Sequence, residues 1–479
     1  MKEAGMNANL YINGRWIETE RRIKVENPAT LEEVGTVAYA GKEEALLAVA
    51  AAEEALPAWR SRAAGERAAL LMRWHQLIME NKEEIARIMT LEQGKPLQEA
   101  VGEVLYANSF VSWFAEEAKR VYGQTVPASA PNKRILVLKQ PVGIVAAITP
   151  WNFPAAMITR KVGPAIAAGC TVVVKPSEFT PLTAYKLAEL AHEAGIPAGV
   201  INVVTGNERE IGEIWMADER VRKISFTGST RVGKLLMRQA ADTMKKVSFE
   251  LGGHAPFIVA PSANLELAVK ELIAPKFRNA GQTCMCPNRV FVHESIRDAF
   301  VDRLKAEVDK LKVGNGMETG VTIGPLINQA AVDKVKEHLR DALAKGAKLV
   351  TPEYPISGKG YFVRPAVLTD VSDDMLCMRE ETFGPIAPIA TYRTTEEVIR
   401  RANATPYGLA AYVFTRDLKE AFQFSEGLEY GIVGLNDGLP ATAQAPFGGM
   451  KESGIGREGG HWGIEEFTEV KYVSLNISV

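Results

Sequence analysis

Between residues 134 and 250 the chain alternates short β-rich runs with helix-length stretches, and this alternation limits its fold more than any other feature. Strands are predicted at 135–138, 142–149, 171–174, 200–204, 223–226 and 247–250. Helices are predicted at 155–168, where Gly169 stops the run, and at 182–194, 208–216 and 231–241. Runs such as Thr171-Val172-Val173-Val174 are apolar without alternation, as expected of strands buried on both faces. The pattern therefore predicts an α/β fold with a parallel sheet covered by helices on each side. At 479 residues the chain is too long for one core, so two or three domains are expected. Helices are predicted upstream at 42–59 and 64–92, punctuated by Pro57 and by Gly94-Lys95-Pro96. A second α/β region follows Leu251-Gly252-Gly253, which reads as a hinge. It has helices near 265–278 and 295–311 and strands near 289–292 and 348–350. Residues 121–139, polar and then alternating, read as an extended excursion from the first domain.

A hydrophobic fraction of 47% with 24% charged residues is that of an ordinary globular enzyme, and a formal net charge of −2 gives no basis for nucleic-acid or membrane-surface binding. The apolar stretch at 162–174 is too short and too interrupted to span a bilayer. Residues 1–9 are polar and lack the apolar run of a secretory signal, and Cys170, Cys284, Cys286 and Cys377 make a poor disulfide framework. A cytoplasmic location is the expectation. The histidines show no spacing suited to ligation, so no catalytic metal is expected.

Parallel strands deliver ligands to their carboxyl ends, and several ends here carry distinctive chemistry. Gly228-Ser229-Thr230-Arg231-Val232-Gly233 follows a strand and opens a helix, where backbone N–H groups and the helix dipole favour a phosphate. Lys175-Pro176-Ser177-Glu178 places a lysine and a carboxylate where both can reach a ribose diol, and Glu178 would repel a 2′-phosphate. Glu250, between Phe249 and Leu251, is a candidate general base with a pKa raised by its apolar neighbours. Asn152, between Trp151 and Phe153, is an uncharged donor suited to an oxyanion. Cys284 follows Gly281-Gln282-Thr283 in a small polar turn, a setting that suits a reactive thiol. Taken singly, each is also compatible with an ordinary turn, a polar loop or a core position.

Taken together and in order, Pro150-Trp151-Asn152-Phe153-Pro154, Phe226-Thr227-Gly228-Ser229, Phe249-Glu250-Leu251-Gly252-Gly253, Gly281-Gln282-Thr283-Cys284, Glu381-Thr382-Phe383-Gly384-Pro385 and Pro446-Phe447-Gly448-Gly449 resemble the aldehyde dehydrogenase superfamily. Met157-Ile158-Thr159-Arg160-Lys161, residues 277–284 and Cys284-Met285-Cys286 are similar to its succinate-semialdehyde dehydrogenase branch. The resemblance implies a Rossmann-like cofactor domain (1–120 and 140–251), an α/β catalytic domain (252–445) and a β oligomerisation arm (121–139 and 467–479). Residues 446–466 would return to the cofactor domain, and the arm would make a homodimer or homotetramer.

The resemblance also implies roles. Cys284 would add to the aldehyde carbon, Asn152 and the Cys284 N–H would hold the oxyanion, and Glu250 would activate the water that hydrolyses the thioester. Lys161 matches a lysine near the active site, and Glu458 a glutamate proposed as a secondary proton relay. NAD, with NADP as the alternative, would contact Trp151, Lys175, Ser177, Glu178, Gly228, Ser229, Gly233, Leu251, Glu381 and Phe383. Retention of Glu250 favours hydrolysis over transfer to coenzyme A. Arg160 and Arg278 correspond to a pair that grips a distal carboxylate, so a small anionic aldehyde such as succinate semialdehyde is the expected substrate. A neutral aldehyde would leave both cations unpaired. Where that branch often has a serine, this chain has Ala441, with Thr442 as its possible substitute; glutarate semialdehyde and sulfolactaldehyde therefore stay in view. Cys286 is a candidate redox partner of Cys284, or else a small buried residue under the loop.

Overall fold

Of the strands read from residues 134–250, those from 142 onward pair into one sheet in the computed structural model, which describes residues 6–352, 356 and 359–478, whereas 135–138 falls in a separate three-stranded arm. Residues 1–5 of the polar start and Val479 of the arm lie outside the described residues. Five parallel strands form the middle of the sheet, in the order Lys246–Glu250, Val221–Thr227, Ile144–Ile148, Thr171–Lys175 and Ile201–Val203. The chain runs outward from Ile144–Ile148 in one direction, then returns to its other side at Val221–Thr227. That reversal opens a crevice at the carboxyl ends of the strands.

Side-chain alternation divides the sheet's two faces. Val145, Ala147, Val172 and Val174 pack into one core, with the helices Ala64–Glu80, Leu97–Glu117, Ala156–Ala168 and Pro181–Glu193. Ile144, Ala146 and Val173 pack into another, with Lys42–Ser61, Glu208–Ala217 and Thr230–Ala241. Each fully buried valine contributes about 1.5–3 kcal/mol relative to exposure, so the middle strands anchor both layers. Every residue of Ala156–Ala168 is buried, and Gly169, at φ 98°, ends it as predicted.

The second sheet has seven strands, in the order Lys348–Leu349, Ala366–Thr369, Ile386–Tyr392, Pro287–His293, Ala255–Val259, Ala410–Phe414 and Ile432–Leu435. All its pairings are parallel except that of Lys348–Leu349. Thr468–Asn476 pairs antiparallel with Lys133–Pro141, which also pairs with Gln124–Val126. This three-stranded arm joins the 121–139 excursion to the C-terminal strand. A short return strand, Gly454–Ile455, pairs with Lys246–Glu250 in the first sheet.

Four local readings differ from the structure. The first helix continues through Pro57 to Ser61, because Trp59 is buried and its Nε1 donates to the Ile166 carbonyl (3.1 Å). The stretch 64–92 is two helices broken at Asn81, whose amide donates to Leu77 O (2.8 Å) and leaves helical geometry. Leu97–Glu117 is a further helix, absent from the elements read above; its buried stripe of Ala100, Val104, Ala107, Val111 and Phe114 also carries Glu103 and Asn108 inward. Residues 251–253 are pinned and do not form a free hinge: Leu251 N donates to Ser453 O (2.9 Å), Gly253 N to Glu381 Oε1 (2.9 Å), and Ser453 Oγ to Gly252 O (2.7 Å).

Candidate active site

Parallel neighbours bring three predicted residues to one edge: Asn152 follows Ile144–Ile148, Gly228 follows Val221–Thr227, and Glu250 closes Lys246–Glu250. The thiol comes from the opposite side, on the loop before Pro287–His293. Asn279, Ala280 and Gly281 all take left-handed φ (52°, 54° and 78°), a conformation that costs the two non-glycine residues about 1–3 kcal/mol each. The loop is held in place by several bonds. Asn279 N donates to Glu99 Oε2 (2.8 Å), and Asn279 Nδ2 to the Asn152 carbonyl (3.0 Å). Gln282 Nε2 donates to Asn279 O (3.0 Å), and its Oε1 accepts from Ile327 N (2.9 Å).

Cys284 opens onto a cavity of about 360 Å³ whose walls include Tyr106, Phe153, Arg160, Arg278, Tyr412 and Phe447. Cys284 is only partly covered, yet burial pushes its thiol up to about 12, Arg160 acting downward and Glu250 and Glu381 upward. At neutral pH the free thiol is thus protonated and must lose its proton as it reacts. Asn152 is buried, and its Nδ2 donates to Gln282 O (3.1 Å), which leaves one of its two amide N–H groups uncommitted.

Charge at this site is apportioned by one buried cluster. Glu458 takes Arg160 at 2.6 Å and Lys161 at 2.5 Å, and Lys161 also donates to Thr227 Oγ1 (2.5 Å). Burial disfavours the charge on Glu458, but Arg160 and Lys161 outweigh it and hold this carboxylate below its ordinary range. Glu250 has the opposite outcome. Burial, and then the negative Glu458, push it well above the ordinary carboxylate range, and its Oε2 has no partner among the described residues. Burial also works against the charge of Arg160, but Glu458 more than restores it.

These contacts correct the two-arginine expectation. Arg160 already has Glu458 and lies 3.9 Å from the Phe447 ring centroid, so a neutral substrate would not leave it unpaired. Arg278 forms no ion pair among the described residues; its guanidinium lies 4.8 Å from the Phe153 ring centroid and faces the cavity. Thr442 is exposed, its hydroxyl is engaged by Gln444, and Ala441 lines the cavity in its stead. Cys286 lies beneath the loop, fully buried, with Lys276 Nζ at 3.2 Å from its sulfur, and does not line the cavity.

The proposed cofactor residues fall into two groups. Ser229 caps Thr230–Ala241 by accepting from Val232 N (3.3 Å), beside Lys175, whose ammonium lies 3.3 Å from Glu178, and Ser177, whose hydroxyl accepts from Phe179 N (3.3 Å). Gly228 and Gly233 have packing reasons for lacking a side chain: a Cβ would meet the Phe226 ring at 2.4 Å and Leu251 Cδ2 at 2.5 Å. Leu251 is correspondingly buried. On the other side, Trp151 and Phe383 meet edge to face (centroids 5.6 Å apart) near Glu381. Burial lifts Glu381 to about 7, while the Gly253 N–H and Lys334 pull it down. A capped helix N-terminus, a lysine–carboxylate pair past a strand and a dry carboxyl group are the donor set that a pyrophosphate and two riboses require, so the residues fit a dinucleotide. Among the described residues no group of three or more His, Cys, Asp or Glu side chains is arranged to hold a metal.

Sequence reading missed Tyr106, Met157, Tyr412 and Glu99 as cavity walls. Met157 opens the quoted run 157–161 but drew no role of its own, and the other three sit in no motif that signals chemistry. Phe447 was visible only as a landmark, not as the ring against Arg160.

The aldehyde dehydrogenase family model matches residues 16–473. The chain belongs to the aldehyde dehydrogenase family. It is 54% identical over 469 residues to a glutarate-semialdehyde dehydrogenase of Pseudomonas putida, covering 98% of this chain and 97% of that one. It is 52% identical over 468 residues to an NADP+-linked succinate-semialdehyde dehydrogenase of Escherichia coli K12, covering 97% of each. Among solved structures, a succinate-semialdehyde dehydrogenase from Burkholderia pseudomallei superposes with a TM-score of 0.97 at 53% identity over 98% of both chains. As a member of this family, the chain is an NAD(P)-dependent enzyme that oxidises an aldehyde to its acid.

Proposed function

We propose that this aldehyde dehydrogenase oxidises a small anionic aldehyde, succinate semialdehyde, to its dicarboxylic acid. The observation that carries the reading is Arg278, whose guanidinium forms no ion pair among the described residues and lines the cavity that Cys284 opens onto. A substrate carboxylate would satisfy it bidentately, in a charge-assisted bond stronger than a neutral one. Ala441 offers no hydroxyl, and Thr442 is engaged elsewhere, so the grip rests on Arg278.

In the proposed sequence, Cys284 gives up its thiol proton to water in the open cavity as its Sγ adds to the aldehyde carbon. The oxygen, now anionic, accepts from the uncommitted Asn152 N–H and from the Cys284 backbone N–H. When bound, the nicotinamide supplies the hydride acceptor that leaves a thioester on Cys284. Glu250 Oε2 then takes a proton from the attacking water, a role for which its raised pKa suits it. Glu458 stays ionised as the counter-ion of Arg160 and Lys161, which argues for a charge-organising role over that of a proton relay.

Ser229 and the start of Thr230–Ala241 would hold the pyrophosphate, Lys175 and Glu178 one ribose, Glu381 the other, and Trp151 and Phe383 would flank the nicotinamide. NAD is the proposed preference. Glu208 hydrogen-bonds Glu178, and burial followed by the charge of Glu178 raises its pKa. A 2′-phosphate would face both carboxyl groups. Self-association through the arm, as a homodimer or homotetramer, is proposed from Val470 and Tyr472, which are 69% and 61% exposed on an edge strand paired on one side only. A cavity of about 830 Å³ beside the arm, walled partly by Trp113 and Trp462, is lined by no cysteine, serine or threonine and belongs to this assembly reading. A cytoplasmic workplace is proposed from four cysteines that carry no disulfide, one of which must stay reduced to react.

Initial rates with succinate semialdehyde, glutarate semialdehyde, sulfolactaldehyde and a neutral aldehyde of similar size, each with NAD+ and NADP+, test the reading. Anionic aldehydes are expected to exceed the neutral one in kcat/KM by on the order of a thousandfold, a gap that Arg278→Met removes. Equal rates with the neutral aldehyde, or a coenzyme A thioester as product, would overturn it.

A further inference from the structure

Lys95 and Glu103 are 1% and 0% exposed and form an ion pair with no access to solvent. Such a pair is a poor source of stability, because desolvating each ion costs several kcal/mol that the attraction only partly returns. What this pair delivers is position. Lys95 Nζ also donates to the backbone carbonyl of Asn152 (2.8 Å) and lies 4.2 Å from the Phe153 ring centroid. Glu103 uses its other oxygen to accept from Ala155 N (2.9 Å) and Ala156 N (3.3 Å), capping the helix that begins there. A second limb reaches the thiol loop: Gln93 Oε1 accepts from Lys95 N (3.0 Å), and Gln93 Nε2 donates to Asn279 Oδ1 (2.9 Å). Asn279 Nδ2 then returns to the same Asn152 carbonyl (3.0 Å).

The turn bearing Asn152 is thus bound from both sides. Lys95 and Glu103 fix its backbone relative to the helix below, and Asn279 fixes it relative to the Cys284 loop. We propose that Lys95 and Glu103 are positioning residues for the oxyanion site, holding Asn152 so that its free N–H and the Cys284 N–H converge on one reacting oxygen. The proposal rests on Asn152 being the oxyanion donor. Its test must separate failure of that premise from failure of the positioning role.

Lys95→Met/Glu103→Gln removes both charges together, leaves no lone buried ion, and keeps an acceptor for Ala155 and Ala156. Alkylation of Cys284 by iodoacetamide develops no oxyanion, so its rate is expected to stay within about twofold of wild type, with KM for the aldehyde within about threefold. The single-turnover rate of cofactor reduction is expected to fall by about 10–100-fold. In an Asn152→Ala background the same pair of substitutions is expected to change that rate by less than about threefold, because the group it positions is gone.

An undiminished single-turnover rate with Asn152 present, or an equal further loss in Asn152→Ala, would overturn the proposal. A raised KM with the rate unchanged would also overturn it, since the pair would then act on Arg278 through Phe153. If Asn152→Ala alone leaves the rate intact, the premise itself falls and the proposal with it. Should the double substitution not fold, Glu103→Gln alone carries the same comparison: a severalfold loss with Asn152 present and none in Asn152→Ala.

Discussion

Glu250 and Glu458 are two buried carboxyl groups in one cluster, and their environments drive them apart. Arg160 and Lys161 are both engaged by Glu458, so together with Arg457 they only partly offset the burial cost of Glu250, whose pKa is raised. A base of this kind gains its carboxylate form only as pH rises above the ordinary carboxylate range. Hydrolytic turnover is therefore expected to climb as pH rises above the ordinary carboxylate range, and Glu250→Gln to flatten that climb. The same substitution should keep the burst of reduced cofactor while slowing steady turnover by about 100-fold or more; loss of burst and turnover together would refute the assignment. Glu250 was legible in the sequence because its apolar neighbours and its strand end are local. Its separation from Glu458 was not, since Lys161 and Glu458 are 297 residues apart and meet only in the folded core.

At the level of elements, the thiol loop is a strained segment kept in place by its neighbours. Gly281 sits at φ 78°, and a Cβ there would lie 2.3 Å from the Gly384 carbonyl oxygen, a backbone atom with no easy retreat. Gly281→Ala is expected to destabilise by at least about 1–3 kcal/mol from conformation alone. Gly212 lies inside Glu208–Ala217, where an added Cβ would meet nothing within 4 Å. Its change to alanine is expected to stabilise by about 0.5–1 kcal/mol. Denaturant midpoints for the two variants should move in opposite directions, and a common direction would contradict both expectations. The parallel strands were legible because burial on both faces leaves continuous apolar runs. Leu97–Glu117 carries a helical stripe of its own (Ala100, Val104, Ala107, Val111 and Phe114); what no local pattern shows is that its inward Glu103 serves the Asn152 turn.

For the molecule as a whole, the arm is the part that a single chain leaves unfinished. Thr468–Asn476 is paired on one side only, with Val470 and Tyr472 exposed along it. Val470→Lys/Tyr472→Lys is expected to yield a smaller species than wild type by light scattering, with the fold retained; an unchanged mass, or a monomeric wild type, would refute association through the arm. By itself the sequence determined the parallel α/β architecture and the ordered motifs, and it named the thiol, base and oxyanion donor proposed above. Those are set by local burial patterns and by short runs of contiguous residues. Only the tertiary structure shows which cation is already paired. Arg160 and Arg278 read alike in one dimension and both line the cavity, but Glu458 returns from the far end of the chain to pair with the first, whereas the second forms no ion pair among the described residues. Charge pairing across such distances depends on which loops the sheets bring together, and no local pattern encodes that.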